Sequence, residues 1–337
     1  MRGKKVTSRD VALKAGVSQT AVSMILNERK DVSFKKETVD LVLKTARELN
    51  YQPNLQARNM KLNRANSIGF LSSWRPTTFV YAPVMESLQA ICSHKNYSIT
   101  LCAGKKNNQG LPDFIEYYLQ NRIDALVYIA YIHEDISETI DLLKKHGVPF
   151  VCIIGGMDIQ EVDAVTVNLF QGAYISTEHL IKKGYKNILY IEPYGELNRG
   201  EKQRVEGYKQ ALKDYHMSNQ KIIKISHPDD ALEDIMQALK GNTCDGIVAS
   251  HIYFGYLAIK GAGMLHMHVP KDLGIISCDH DTYAPYIAVP ITTADVPLYE
   301  MGEQAGKILF DKLENKEKQC IKIEIPSTLS IRQSTSR

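Results

Sequence analysis

From residue 68 onward, apolar runs of four to six residues alternate with longer amphipathic stretches, and the alternation occurs twice. The first set is Ile68–Ser72, Tyr97–Cys102, Ala125–Ala130 and Phe150–Ile154; the second is Ile188–Ile191, Ile222–Ile225, Gly246–Ala249 and Gly274–Cys278. Between them, Ile136–His146, Ala173–Lys183 and Ala231–Lys240 place apolar side chains at helical spacing. Strands that are apolar along their whole length must be covered on both faces, as in parallel sheets whose crossover connections are helices. The pattern therefore predicts an α/β fold of two lobes, with the break near residue 165. A helix over Leu298–Leu313 and a strand over Ile321–Ile325 follow, with a return to the first lobe near residue 294.

The first 66 residues do not share this pattern. Thr7 and Ser8 are placed to cap a short helix with Val11, Ala12 and Ala15 on its apolar face, and Gly16 ends it. Ser18 caps a second helix whose inward side is Val22, Ile25 and Leu26, closing at Asn27. Two short helices joined across Gly16-Val17-Ser18 form a helix-turn-helix. A third helix is predicted from about Lys35 to Leu49, with Val39, Val42, Leu43 and Ala46 inward. Tyr51 to Asn66 is too polar for a core and too short for an isolated stable helix, so it reads as a linker that gains helical turns only when supported. The expected division is a helix-turn-helix domain over 1–50, a linking segment over 51–66 and a two-lobed α/β domain over 67–337.

Charge divides at the same place. Residues 1–64 carry 14 Lys and Arg against 6 Asp and Glu, and the other 273 residues carry 27 against 32. A basic head on a mildly acidic body is either the footprint of a polyanion or a solvated basic surface. No apolar run approaches the ~18 residues a membrane span requires, and Met1-Arg2-Gly3-Lys4-Lys5 leads into polar sequence rather than a secretory segment. The six cysteines are scattered without a C-x-x-C pair, as expected of buried small hydrophobes in a reducing, cytoplasmic protein. Asp279-His280-Asp281 and His266-x-His268 do not project together onto one ion, so no metal is expected. No G-x-S-x-G, Walker A, G-x-G-x-x-G or H-E-x-x-H occurs, so neither an enzyme nor a cofactor is expected.

The run Val6-Thr7-Ser8-Arg9-Asp10-Val11-Ala12, Ala15-Gly16-Val17-Ser18 and Val22-Ser23-Met24-Ile25-Leu26-Asn27 resembles the head of LacI/GalR-family transcriptional regulators. Glu48-Leu49-Asn50-Tyr51-Gln52-Pro53-Asn54 and Ala57-Arg58 continue the resemblance into that family's hinge. Weaker echoes in the body are Ile68-Gly69-Phe70, Glu178-His179-Leu180-Ile181, Arg204-x-x-Gly207-Tyr208 and Pro290-x-Thr292-Thr293. The resemblance implies a periplasmic-binding-protein-like core behind a DNA-binding head.

A recognition helix presents its N-terminal side chains to base edges in the major groove. Here those are Ser18, Gln19, Thr20 and Ser23; Gln19 suits an adenine edge and Thr20 a base or a thymine methyl. Each is otherwise an ordinary exposed helix residue. Lys5, Arg9, Lys35, Lys36 and Arg58 are phosphate candidates. Where the family commonly has arginine the chain has Met24, which cannot pair bidentately with guanine, and the hinge leucine that wedges the minor groove is Met60. Thr7, Asn27 and Ala57 complete the expected DNA-contacting set.

In the body, the resemblance implies that Arg204 and Asp279 contact a small effector held between the lobes. The alternatives are an interlobe salt bridge for Arg204 and a helix cap or turn for Asp279. The chain departs from the family by having Ile154 for an aspartate, His251-Ile252 for an Asn-Asp pair, His280 after Asp279, and Trp74 after the first strand. With Phe79 and Tyr253, the pocket becomes more aromatic and less acidic; Trp74, Phe79, Arg204, His251 and Asp279 are its expected lining. The expectation is a homodimeric repressor on a pseudo-palindromic operator, controlled by a small molecule of carbohydrate type. The alternative is a regulator controlled by a protein partner, its small-molecule pocket vestigial.

Overall fold

The computed structural model describes residues 6–26, 32–51, 64–73, 75–76, 78, 80–130, 136–155, 161–218, 220–241, 244–279, 281–315 and 319–336. The chain divides into two compact units, Met1–Ala65 and Asn66–Arg337.

The first unit contains α1 (Ser8–Ala15), α2 (Gln19–Leu26) and α3 (Lys36–Glu48). Thr7, not Ser8, caps α1: its backbone N–H and hydroxyl both donate to Asp10 Oδ2, and its own oxygen accepts from the Asp10 backbone. Gly16 closes α1 at φ 68°, a left-handed conformation that glycine adopts without cost. Val11, Ala12, Ala15, Val22, Ile25, Val42 and Ala46 form the core, with Val17, Leu26, Phe34, Val39, Leu49 and Tyr51 at its margin. Leu43, expected inward, is only half-buried, and Thr45 takes an interior place instead.

The second unit holds two sheets. In the first lobe, β1 (Ser67–Ser72), β2 (Ser98–Cys102), β3 (Ala125–Ile129), β4 (Phe150–Gly155), β5 (Ala164–Val167) and β11 (Lys322–Ile325) lie in the order β11-β5-β4-β3-β1-β2 and are parallel throughout. Helices α4 (Tyr81–His94), α5 (Asp113–Leu119), α6 (Ser137–Lys145) and α11 (Leu298–Asn315) cover it. The second lobe has β6 (Ile188–Glu192), β7 (Lys221–Lys224), β8 (Gly246–Ala249), β9 (Gly274–Ser277), β10 (Thr292–Asp295) and β12 (Thr328–Ser330) in the order β12-β10-β9-β8-β6-β7. Among the described strands of this lobe, the β10–β12 pair alone is antiparallel. Its helices are α7 (Leu169–Lys182), α8 (Arg199–Asp214), α9 (Ala231–Lys240) and α10 (Ile252–Met264).

Strands β5, β10 and β12 have no counterpart among the runs read from the sequence. The chain passes between the sheets after Val167, after Asp295 and again after Ile325, and side chains lace the three passages together. Asn168 caps α7 through Oδ1 and donates from Nδ2 to Glu324 Oε1 at 2.9 Å. The Ser327 N–H donates to Gln171 Oε1, and Asp295 accepts from the hydroxyls of Thr293 and Ser330. Five of the six cysteines are buried; Cys320, expected to be buried as well, is exposed in the polar stretch between α11 and β11. Among the described residues no helix is long and apolar enough to cross a membrane.

Candidate functional site

In the first unit, Val22 and Ile25 bury one side of α2 and so turn the other outward. Gln19, Thr20 and Ser23 are exposed on that outer side, and Met24 is half-buried. Ser18 caps the helix, its oxygen accepting from the Ala21 N–H at 3.1 Å. Gln19 is held: its Nε2 donates to Ser8 Oγ on α1 at 2.9 Å. Thr7 spends its side chain on the capping box of α1. Arg9, Lys35 and Lys36 are exposed. Lys5, Asn27, Ala57, Arg58 and Met60 lie outside the described residues.

In the second unit, both sheets follow the doubly wound order in which ligands meet the carboxyl ends of the strands at the point where the winding reverses. In the second lobe that end carries a compact charged group. His251 follows β8, Asp279 follows β9, and α8 supplies Glu201 and Arg204 one turn apart. The depth of α8 is set by Gly207, where a Cβ would fall 2.1 Å from the Phe170 carbonyl oxygen on α7. Glu201, Arg204 and Asp279 are 4%, 6% and 3% exposed, while the His251 side chain remains 36% exposed.

His251 joins the group. Its Nε2 donates to Glu201 Oε1 at 2.8 Å and its Nδ1 to Asp279 Oδ2 at 3.0 Å. Burial alone would lower the imidazole pKa, but the bonds to Asp279 and Glu201 prevail and raise it to about 9, so the ring is an imidazolium at neutral pH. With Nδ1 protonated, Arg204 Nη1 at 3.2 Å is a like-charge neighbour rather than a donor. The two carboxylates hold this arrangement together: Arg204 lies 3.8 Å from Glu201 and 3.7 Å from Asp279. Burial works to raise both carboxyl groups, yet the His251 bonds and the Arg204 charge hold them below their ordinary values. Two cations and two carboxylates cancel in one buried cluster.

Arg204 therefore pairs within its own lobe, not across lobes. Asp279 does act as a helix cap, accepting from the Ile252 N–H that opens α10 at 2.6 Å, and it belongs to the charged group as well. Polar capacity remains: among the described residues, Glu201 Oε2, Arg204 Nε and Ser250 Oγ are buried without a hydrogen-bond partner. In the first lobe a cavity of about 260 Å³ opens at the ends of β1–β3, lined by Ser72, Ser73, Tyr128, Lys106 and Glu138 among others. Tyr253 is exposed; Trp74, Phe79, His280 and the Ile154 side chain are not described. Sequence reading missed Glu201, whose signals are its place three residues after the Asn198 cap and three before Arg204.

Comparison with known proteins bears on the family and the fold. A model of bacterial regulatory proteins of the lacI family matches residues 7–54, and a periplasmic binding protein-like domain matches residues 177–335. The HTH-type transcriptional repressor PurR of Mannheimia succiniciproducens is 30% identical over 345 residues, covering 98% of this chain and 99% of its own. The Lac repressor dimer bound to operator and the anti-inducer ONPF superposes with a TM-score of 0.79 at 18% identity, over 98% of this chain and 99% of that one. A LacI family transcriptional regulator from Enterococcus faecium with bound ribose gives 0.67 at 22% identity, over 80% and 98%. These two structures share the fold. The chain belongs to the LacI family of bacterial regulatory proteins, DNA-binding transcriptional regulators.

Proposed function

We propose that this chain is a sequence-specific repressor that binds a pseudo-palindromic operator as a homodimer and is controlled by a small molecule, a sugar or related metabolite, held between the lobes of its body. Residues 1–50 are the DNA-binding domain, 51–66 the hinge, and 67–337 the effector-binding and dimerisation domain. Gln19, Thr20 and Ser23 read bases; Arg9, Lys35 and Lys36 meet phosphates. A single head of this size buries too little surface for strong specificity, which favours two heads on a repeated half-site. Arg204, His251 and Asp279 anchor the effector.

The observation that carries the effector reading is the charged group at the carboxyl ends of β8 and β9, with Glu201 Oε2, Arg204 Nε and Ser250 Oγ still unspent. A ligand between the lobes would act on the three passages between the sheets, and DNA affinity follows through linkage. A thermal-shift screen against sugars, sugar phosphates and nucleobases tests it. A ligand at 100 times its Kd adds about 2.7 kcal/mol to stability, so an effector raises the melting temperature of the wild-type chain and not that of Arg204→Ala.

One observation favours a second reading. His251 already satisfies one oxygen of Glu201 and one of Asp279, which supports a pocket closed on itself and a protein partner as the controlling signal. Silence across the metabolite panel, with DNA affinity changed only by a purified partner protein, would select that reading.

A further inference from the structure

The bond between Gln19 and Ser8 links two helices across 11 residues of sequence. Ser8 is the first residue of α1, but its hydroxyl is not the cap of that helix, because Thr7 performs that task with Asp10. It accepts instead from the side-chain amide of the first residue of α2. Both ends stand on rigid supports: the capping box fixes the start of α1, the Gly16 turn sets the two helices against each other, and Val11, Ala12, Val22 and Ile25 lock them in one core. Gln19 itself is exposed.

A glutamine amide offers two N–H donors and one carbonyl acceptor. With one N–H engaged by Ser8, one N–H and the carbonyl remain, in one plane whose orientation is set by the protein. That pair matches the acceptor N7 and donor N6 of an adenine edge. An unsupported glutamine loses its rotamer freedom only on meeting DNA; here much of that ordering precedes binding, as a preorganised contact requires.

We infer that Ser8 is a positioning residue for base recognition: it orients the Gln19 amide and so sharpens the preference at the base pair Gln19 reads. This rests on the reading of α2 as the base-contacting helix. The test uses the full-length chain and synthetic duplexes selected from a library randomised over the operator length. Ser8→Ala is expected to lower discrimination at one base pair per half-site by roughly threefold to tenfold, the worth of one net neutral hydrogen bond. The salt dependence of binding and the melting temperature stay at wild-type values, since no phosphate contact or core group is lost. Ser8→Thr, which keeps the hydroxyl, restores the preference.

In a Gln19→Ala background, Ser8→Ala changes nothing further. Wild-type discrimination in Ser8→Ala would overturn the inference, and so would an equal loss in the Gln19→Ala background, which would mean that Ser8 meets the DNA itself. If Gln19→Ala alone leaves the selected sequences unchanged, the base-reading role of Gln19 fails and the inference fails with it.

Discussion

On α2, Gln19, Thr20 and Ser23 stand exposed while Val22 and Ile25 beneath them are buried; in the second lobe, Glu201, Arg204 and Asp279 are buried and gathered around His251. The first surface presents its polar side chains to solvent, where a partner can reach them. The second has spent most of its polar groups on one another, as low-dielectric burial demands. A ligand reaching the head adds contacts, whereas a ligand reaching the cluster must exchange them. The two sites should therefore respond to mutation in opposite ways.

The largest difference is expected from truncation. Arg204→Ala leaves two buried carboxylates facing a single imidazolium and should cost about 3 kcal/mol of body stability, within the range for breaking a buried ion-pair network. Gln19→Ala should alter base preference yet leave stability within about 0.5 kcal/mol, as for exposed positions. Urea unfolding of the two variants measures both, and equal stabilities would erase the distinction between a closed site and an open one.

A smaller effect separates them by pH. The His251 pKa is raised in the folded chain to about 9 from an ordinary 6.5, so its stabilising contribution is complete below about 6.5 and is lost as pH rises through 9. The melting temperature of the body should fall between pH 7 and 10. His251→Asn should flatten that fall, and a slope unchanged by the substitution would remove the imidazolium from the account. On the acid side, Glu201 and Asp279 act in the opposite sense: their depressed values stabilise the fold above the ordinary carboxylate range, and that contribution is lost as pH falls.

The smallest effect lies in the head. Thr7→Ala removes the capping box of α1 and should cost about 1 kcal/mol, measured as a lower unfolding midpoint for the head with the body unchanged. A Thr7→Ala head as stable as wild type would show that the core of the three helices, not the cap, sets the position of α1.

What was legible in the sequence divides along physical lines. Gly246–Ala249 and Ala231–Lys240 were readable to the residue because local apolar pattern and burial coincide. The strand Thr292–Asp295 was not: Thr292 and Thr293 look polar, and their complete burial depends on bonds to Arg332, Ser334 and Thr335, some forty residues later. Similarly, Thr328–Ser330 is a strand only because β10 pairs with it. In the charged group, Arg204 and Asp279 were named through family resemblance and His251 as a departure from it, while Glu201 was hidden because a glutamate in the first turn of a helix is ordinary on electrostatic grounds. Thr7 and Ser8 were both read as caps of α1, and Thr7 alone has that role.

The most direct measurement is the affinity of the full-length chain for a fluorescent duplex selected from the randomised library, with and without each compound that shifts its melting temperature. The account predicts at least a fivefold change in Kd with one such compound, a coupling of about 1 kcal/mol, and no change for Arg204→Ala. An affinity unaltered by every compound that binds, or a response that survives in Arg204→Ala, would contradict it.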